Sequence, residues 1–269
     1  MTEHSANFGE FHRDTAVERI ADNVWQGVFS DGWCIGKGLN GGYVMALGAR
    51  ALSAALPHKD PLAVTAYYLA RTEPGPVRCE VDVLRSGGSV SFGNVRMIQN
   101  GQLKVQLTGV YTDADKLNGA FLSADAMPDI PAIDACDDMP QGDNITLRQR
   151  LLQRAAPANV AAMNGVPDHS GRWLGWTALA DGSDIDAFAL LMFADSFPPP
   201  SFTLYGPLGW VPTLELTVQI HGRPARGPLR CEFKTALISN GIVDEEGTLW
   251  DSTGRVVAVC RQTALLKQG

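Results

Sequence analysis

No stretch of this 269-residue sequence concentrates lysine and arginine, and its formal net charge is −7. Nucleic-acid binding draws on a local excess of positive side chains to neutralise phosphates, so no nucleic-acid partner is expected. An anionic small molecule would have to be held by individual Arg or Lys residues. The opening Met1-Thr2-Glu3-His4 is polar and lacks the basic-then-apolar pattern of an export signal, which points to a cytoplasmic chain. The five cysteines, Cys34, Cys79, Cys136, Cys231 and Cys260, are odd in number and widely spaced. That fits reduced thiols and neither a disulfide framework nor a zinc cluster. The five histidines show no metal-ligand spacing, and no G-x-S-x-G motif is present, which counts against an α/β serine hydrolase. Neither a metal nor a cofactor is expected.

What is present is a repeat. Gly75-Pro76-Val77-Arg78-Cys79-Glu80-Val81 returns as Gly227-Pro228-Leu229-Arg230-Cys231-Glu232-Phe233, with five of seven positions identical at an offset of 152 residues. Val64-Thr65 matches Leu216-Thr217, and Arg71 matches Arg223, at the same offset. With a larger shift, Val24-Trp25-Gln26-Gly27 weakly resembles Arg172-Trp173-Leu174-Gly175. A unit of that length is a folded module made twice, not a solenoid turn. At 45% hydrophobic and 19% charged, the chain can bury one core shared by two modules.

Each module reads as strand, helix, then a run of strands. Asn40 fits an N-cap, and residues 41–56 are apolar on nearly every face until Pro57. Such a helix is buried, and at 16 residues it falls short of the roughly 20 that span a bilayer, so no membrane association is expected. Residues 62–70, 77–84, 90–99 and 103–111 have strand character and are joined by turn signals, among them Asn100-Gly101, so an antiparallel meander is expected. Residues 113–143 carry eight Asp and one Lys with interspersed prolines and read as a solvated connection. A short amphipathic helix is expected over 144–156. The second module repeats the plan: a strand at 172–179, a helix from about 184 to 197, and strands at 213–221, 229–238, 242–251 and 255–266. Ser183 or Asp184 would cap that helix and Pro198-Pro199-Pro200 would stop it.

The expected organisation is a hotdog module over 1–112, an acidic Pro-rich linker over 113–171 and a second hotdog module over 172–269. This is an α+β fold, a double hotdog in which each curved antiparallel sheet wraps a central helix. Two modules could complete a pseudo-dimer within one chain, while exposed sheet edges could join chains into a homo-oligomer.

Asp195 closes an otherwise apolar helical stretch, where the helix dipole and burial both disfavour its charge. Both push its pKa upward, as a general base working near neutrality requires. A solvated helix-end carboxylate is the alternative reading. Gln262, late in the final strand, can donate and accept, as a group holding a water or a carbonyl must, unless it faces solvent from an edge. Thr213 opens a strand, where β-propensity alone could place it. Asn40-Gly41-Gly42 offers unpaired N–H groups at a helix start, which suits an oxyanion or carbonyl oxygen and equally suits close helix–sheet packing. The G-x-G-x-x-G spacing of residues 36–41 leads into a meander and not a βαβ unit, so it is set aside as a dinucleotide motif.

Asn40-Gly41-Gly42-Tyr43 before a buried helix, Leu84-Arg85-Ser86-Gly87 with Ser91-Phe92, Ile98-Gln99-Asn100-Gly101 and the closing Arg261-Gln262 resemble the thioesterase-like superfamily of double-hotdog proteins, related to acyl-CoA thioesterase II. The resemblance covers both modules and leaves out the acidic linker. It implies hydrolysis of acyl-CoA or another acyl thioester to free acid and thiol, with Asp195, Thr213 and Gln262 orienting and activating water. The thioester carbonyl would lie near Gly42, with Asn40 and Gly41 beside it. The chain departs from acyl-CoA thioesterase II in having Glu215-Leu216 where that enzyme has Asp-His. A thiol of pKa about 8.5 leaves readily, so one base and one oxyanion-stabilising site suffice without a covalent intermediate. Two other readings stand beside this one: a non-catalytic acyl-thioester binding module, and a hotdog enoyl-thioester hydratase.

Overall fold

The computed structural model describes residues 7–117, 119–123, 126–207 and 209–266. The polar opening at residues 1–4, and Asp125 of the acidic stretch, lie outside the described residues. The first half runs through α1 (Glu10–Asp14), β1 (Val17–Ala21), β2 (Val24–Phe29), the short hairpin β3 and β4 (Cys34–Ile35, Gly38–Leu39) and α2 (Gly41–Ala55). It continues with β5 to β8 (Asp60–Tyr68, Gly75–Ser86, Val90–Gln99, Gln102–Thr112). The second half runs through β9 (Asp137–Asp138), β10 (Leu151–Ala155), α3 (Val160–Met163), β11 (Arg172–Leu179), α4 (Ala187–Phe193), α5 (Ser201–Tyr205) and β12 to β15 (Thr213–Ile220, Leu229–Ser239, Ile242–Trp250, Val256–Leu265).

Thirteen strands among the described residues join in one sheet, in the order β1-β2-β6-β7-β8-β5-β12-β15-β14-β13-β11-β10-β9. Helix α2 packs on β5 to β8, α4 packs on β12 and β5, and the two helices pack on each other. The architecture is the expected α+β double hotdog. Its pseudo-twofold passes between β5 and β12, where Thr65 stands opposite Thr217 and the two hydroxyls hydrogen-bond at 2.8 Å, 152 residues apart in the chain. The repeat offset is thus the symmetry operation of the fold. Cys79 and Cys231, the repeated cysteines, are both fully buried core. Trp25 stands opposite Cys79 and Gly175 opposite Cys231, so the weak match of Trp25 to Trp173 is two residues out of step. Both tryptophans still point inward, because strand side chains alternate with period two.

Helix α2 is buried on all sides: every residue from Gly42 to Leu52 except Arg50 is enclosed. Asn100 and Gly101, at φ 51° and 74°, form the hairpin between Gln99 and Gln102, a turn that needs two positive φ values.

Several expectations fail locally. Residues 144–156 are not an amphipathic helix but a 3₁₀ turn at Thr146–Gln149 followed by β10. Leu151, Gln153 and Ala155 face inward along β10, and the strand is held by pairing with β11. The free backbone edge of β11 decides the matter, since local propensity for this stretch is weak either way. Met139, within the 113–143 stretch read as a solvated connection, enters the main core, as do Leu147 and Leu151 after it, so that connection is not solvated along its whole length. The second helix is also shorter than expected. Asp186, not Ser183 or Asp184, caps α4 by accepting from the Ala189 N–H at 2.7 Å. Asp184 instead pairs with Arg226 at 3.0 Å. The helix ends at Phe193 and tightens into i→i+3 turns, from the Asp195 N–H to the Met192 carbonyl oxygen at 3.2 Å and from the Ser196 N–H to that of Phe193 at 3.3 Å, so it stops before Pro198 is reached. No helix of the described residues is long and apolar enough to cross a membrane.

Candidate active site

A cavity of about 650 Å³ opens beside the contact between α2 and α4, a size that suits a small organic ligand. The first module contributes Asn40, Gly41, Tyr68 and Arg71 to its wall; the second contributes Asp195, Thr213, Glu245 and Gln262. Trp173, Phe197 and Phe233 give it an apolar lining, and Met139 and Leu147 from the 113–171 segment close one side. Trp210, half exposed at 51%, lies near Arg71 at the solvent side.

Asp195 sits in the turn just past α4, partly buried and lining this cavity. Its Oδ2 accepts from the Gly42 N–H at 3.1 Å and from Asn40 Nδ2 at 3.0 Å; Asn40 Nδ2 also donates to the Asp195 carbonyl oxygen at 2.6 Å. Asn40 is only 1% exposed and is itself fixed, because its Oδ1 caps α2 by accepting from the Tyr43 N–H at 2.8 Å. Burial pushes the Asp195 carboxyl up to about 6, while the N–H groups of Gly42 and Gly41 pull it down. The carboxylate therefore lies against the negative end of one helix and the positive end of another. Only the first of these was visible along the chain.

This geometry changes the role of Asn40-Gly41-Gly42. The Gly42 N–H is not left open for a ligand oxygen; it holds Asp195, and Gly42 is not part of the cavity wall. A Cβ on Gly42 would sit 2.6 Å from the Leu191 carbonyl oxygen and 2.7 Å from that of Met192, so this glycine lets α2 touch the end of α4. Gly41 does face the cavity, and its carbonyl oxygen accepts from the Tyr68 hydroxyl at 2.8 Å. Burial, with the nearby Asp195 and Glu215 charges, holds the Tyr68 hydroxyl well above its usual pKa, so it acts as a neutral donor.

Gln262 is 7% exposed and lies on β15 between β12 and β14, inside the sheet and not at an edge. Thr213 is half-buried at the start of β12 and lines the same cavity. The structure thus brings Asp195, Thr213 and Gln262 to one cavity, with Asn40 and Gly41. It also adds Glu245, from Asp244-Glu245-Glu246 in the strand expected at 242–251, which the sequence reading did not single out. Glu245 is 9% exposed, and its Oε2 accepts from Gln262 Nε2 at 3.2 Å. Burial, then the charges of Asp195 and Asp244, push its carboxyl up to about 8, which favours its neutral form. The usable signal was alternation: Val243, Glu245 and Gly247 share the inward face of β14.

Residues 29–112 match the family described as the acyl-CoA thioesterase N-terminal domain, and residues 126–266 match the acyl-CoA thioesterase C-terminal domain. An uncharacterized protein of Mycobacterium tuberculosis is 26% identical over 272 residues, spanning 91% of this chain and 92% of its own. The crystal structure of a protein described as a thioesterase II from Thermobifida fusca superposes with a TM-score of 0.88 at 28% identity, covering 95% of this chain and 98% of that one. An acyl-CoA thioesterase II from Mycobacterium marinum shares the fold with a TM-score of 0.77 at 18% identity, covering 97% and 99% of the two chains.

Proposed function

The chain belongs to the acyl-CoA thioesterase family, and from that premise we propose that it hydrolyses an acyl-CoA thioester to free acid and thiol, with Asp195 as general base and no covalent intermediate. The observation that carries this reading is Asp195 itself: a carboxylate pushed up to about 6, held in a fixed orientation by two amide donors, on the wall of an apolar cavity. A base poised near the working pH can take a proton from water and return it within one turnover.

Water bound between Asp195 and Gln262 attacks the thioester carbon. Its proton passes to Asp195 as the new C–O bond forms and the carbonyl π pair moves onto oxygen. The Thr213 hydroxyl, which makes no side-chain hydrogen bond among the described residues, is the donor left to steady that oxyanion, since the Gly42 N–H is committed to Asp195. Collapse re-forms the carbonyl and expels the sulfur, which receives the proton from Asp195. The apolar wall of Trp173, Phe197 and Phe233 suits an acyl chain, and Arg71 and Trp210 at the solvent side suit the polar carrier.

The test is free-thiol release from a panel of acyl-CoAs by wild type and Asp195→Asn side by side. Asparagine keeps an oxygen for Gly42 and Asn40 but cannot take a proton, so kcat should fall about 10²–10⁴-fold. Undiminished turnover in the variant would remove Asp195 as the base. Binding of the panel by wild type without turnover would favour an acyl-thioester binding module instead.

A further inference from the structure

Thr235, Glu245 and Gln262 stand opposite one another on β13, β14 and β15. Glu245 and Gln262 are both more than nine-tenths buried, both line the cavity, and they are joined by the Gln262 Nε2 to Glu245 Oε2 hydrogen bond at 3.2 Å. Glu245 Oε1 and Thr235 Oγ1 are buried without a hydrogen-bond partner. A buried acid with an orphan oxygen weakens a fold, so packing supplies no reason for it. The first module makes the same point. Val64 and Leu216 are repeat partners, and they stand opposite Gly109 and Gln262 respectively. One strand further on, Gly93 faces Gly109 where Glu245 faces Gln262. The acid and the amide are present together in one module and absent together in the other, so the fold does not require either.

We propose that Glu245 is a positioning residue for Gln262: by accepting an N–H of the amide it fixes which way the amide faces, turning the Gln262 carbonyl oxygen toward the attacking water. This rests on the thioesterase reading above. A water that gives one hydrogen to Asp195 and the other to Gln262 Oε1 keeps a lone pair free for the thioester carbon. An amide turned the other way would donate to that lone pair and blunt the nucleophile. Asn40 does for Asp195 what Glu245 does for Gln262, with each reacting side chain held by a second one behind it. The orienting contact is the Gln262 Nε2 donor on Glu245 Oε2, and the raised Glu245 carboxyl limits the second negative charge placed beside Asp195.

The experiment compares Glu245→Leu, Glu245→Gln, Gln262→Leu and the double variant Glu245→Leu/Gln262→Leu. Glu245→Leu should lower kcat about 10- to 100-fold with KM within about twofold. Glu245→Gln, which still presents an acceptor, should recover most of that loss, and the double variant should be no slower than Gln262→Leu alone. The thermal midpoint of Glu245→Leu should not fall, since an orphaned acid has been removed. Wild-type kcat in Glu245→Leu, or losses that multiply in the double variant, would overturn the proposal. An independent readout needs no turnover: the Gln262 side-chain amide, assigned by its disappearance in Gln262→Leu, should be protected from hydrogen exchange in wild type and exposed in Glu245→Leu. Equal exchange in the two proteins also overturns it. An inactive wild type would sink the thioesterase reading alone, and amide exchange would still decide this one.

Discussion

The two ends of the α2–α4 pair are built from the same parts and put to opposite uses. At one end the start of α2 meets Asp195; at the other the start of α4 is capped by Asp186, whose Oδ2 lies 3.0 Å from Arg50 Nη2 and 3.2 Å from His12 Nε2. Burial raises the Asp186 carboxyl, but the His12 hydrogen bond and the Arg50 charge outweigh it and hold it below the usual range. Asp195 has amide donors and, among the described residues, no cation beside it, and burial pushes it up to about 6. Ala49 stands as far from its cap Asn40 as Asp195 does from Asp186, and the Tyr111 hydroxyl donates to the Ala49 carbonyl oxygen at 2.7 Å. Where Glu245 and Gln262 line a cavity, Gly93 and Gly109 are covered by Leu52, whose methyls would lie 2.8 and 3.0 Å from added Cβ atoms. A carboxylate with a cation in a filled interior is a clamp. A carboxylate without one, beside a hollow, keeps a raised pKa and faces the cavity.

Neutralising each acid in turn should separate the two ends most widely. Asp195→Asn should cost the 10²–10⁴ in kcat proposed above, whereas Asp186→Asn should leave kcat within about threefold while lowering unfolding free energy by about 1–3 kcal/mol, because Arg50 loses its partner. Steady-state kinetics and denaturant unfolding on both variants check it. An Asp186→Asn protein that folds and does not turn over would show that the two ends are not distinct.

The next effect separates packing from orientation at the α2 start. Gly42→Ala meets backbone oxygens at 2.6 and 2.7 Å and must push the helices apart, so it should lose about 1–3 kcal/mol of stability. Gly41→Ala meets only side-chain atoms, Asp195 Oδ2 at 2.9 Å and the Tyr68 ring end at 3.1 Å. It should lower the thermal midpoint less and kcat more. Identical profiles for the two variants would mean that Asp195 is not held where the chemistry needs it.

The smallest effect is in the pH dependence of stability, and the two acids should give opposite signs. Asp195 is raised in the folded state, so the native protein binds that proton more tightly than the unfolded chain does. Its contribution is fully present below the unfolded carboxylate value and is lost as pH rises through about 6, roughly 1–3 kcal/mol across that window. Asp186 is depressed, so its contribution is present above the unfolded value and lost as pH falls through its folded value. Unfolding of wild type minus Asp195→Asn between about pH 4 and 7 should therefore fall with pH. A flat difference would mean that Asp195 is not raised. The same group predicts that kcat/KM falls on the acid side of about pH 6.

Most of the strands could be read from the chain, because alternation and turn chemistry are local. Asn100-Gly101 specifies its hairpin through positive φ values that few other pairs adopt, and the Gly-Pro-x-Arg-Cys-Glu repeat marks the second module without any reference to three dimensions. Residues 144–156 were misread because Leu151-Leu152-Gln153-Arg154 is compatible with either period, and only the open edge of β11 selects a strand. Glu245 is not marked by the sequence, since whether one of Asp244-Glu245-Glu246 turns inward depends on which face of β14 meets the core.

Two modules and the course of most strands are legible along the chain, because local backbone preferences and identity at a fixed offset need no third dimension. Asp195, Thr213 and Gln262 are singled out together only by the resemblance to the thioesterase-like superfamily. What no local pattern shows is that the Gly42 N–H is taken by Asp195, that the acidic middle segment walls the cavity, and that Glu245 meets Gln262. Each of these depends on distance between residues more than a dozen positions apart, and on the desolvation that comes only when the two modules close over the same cavity.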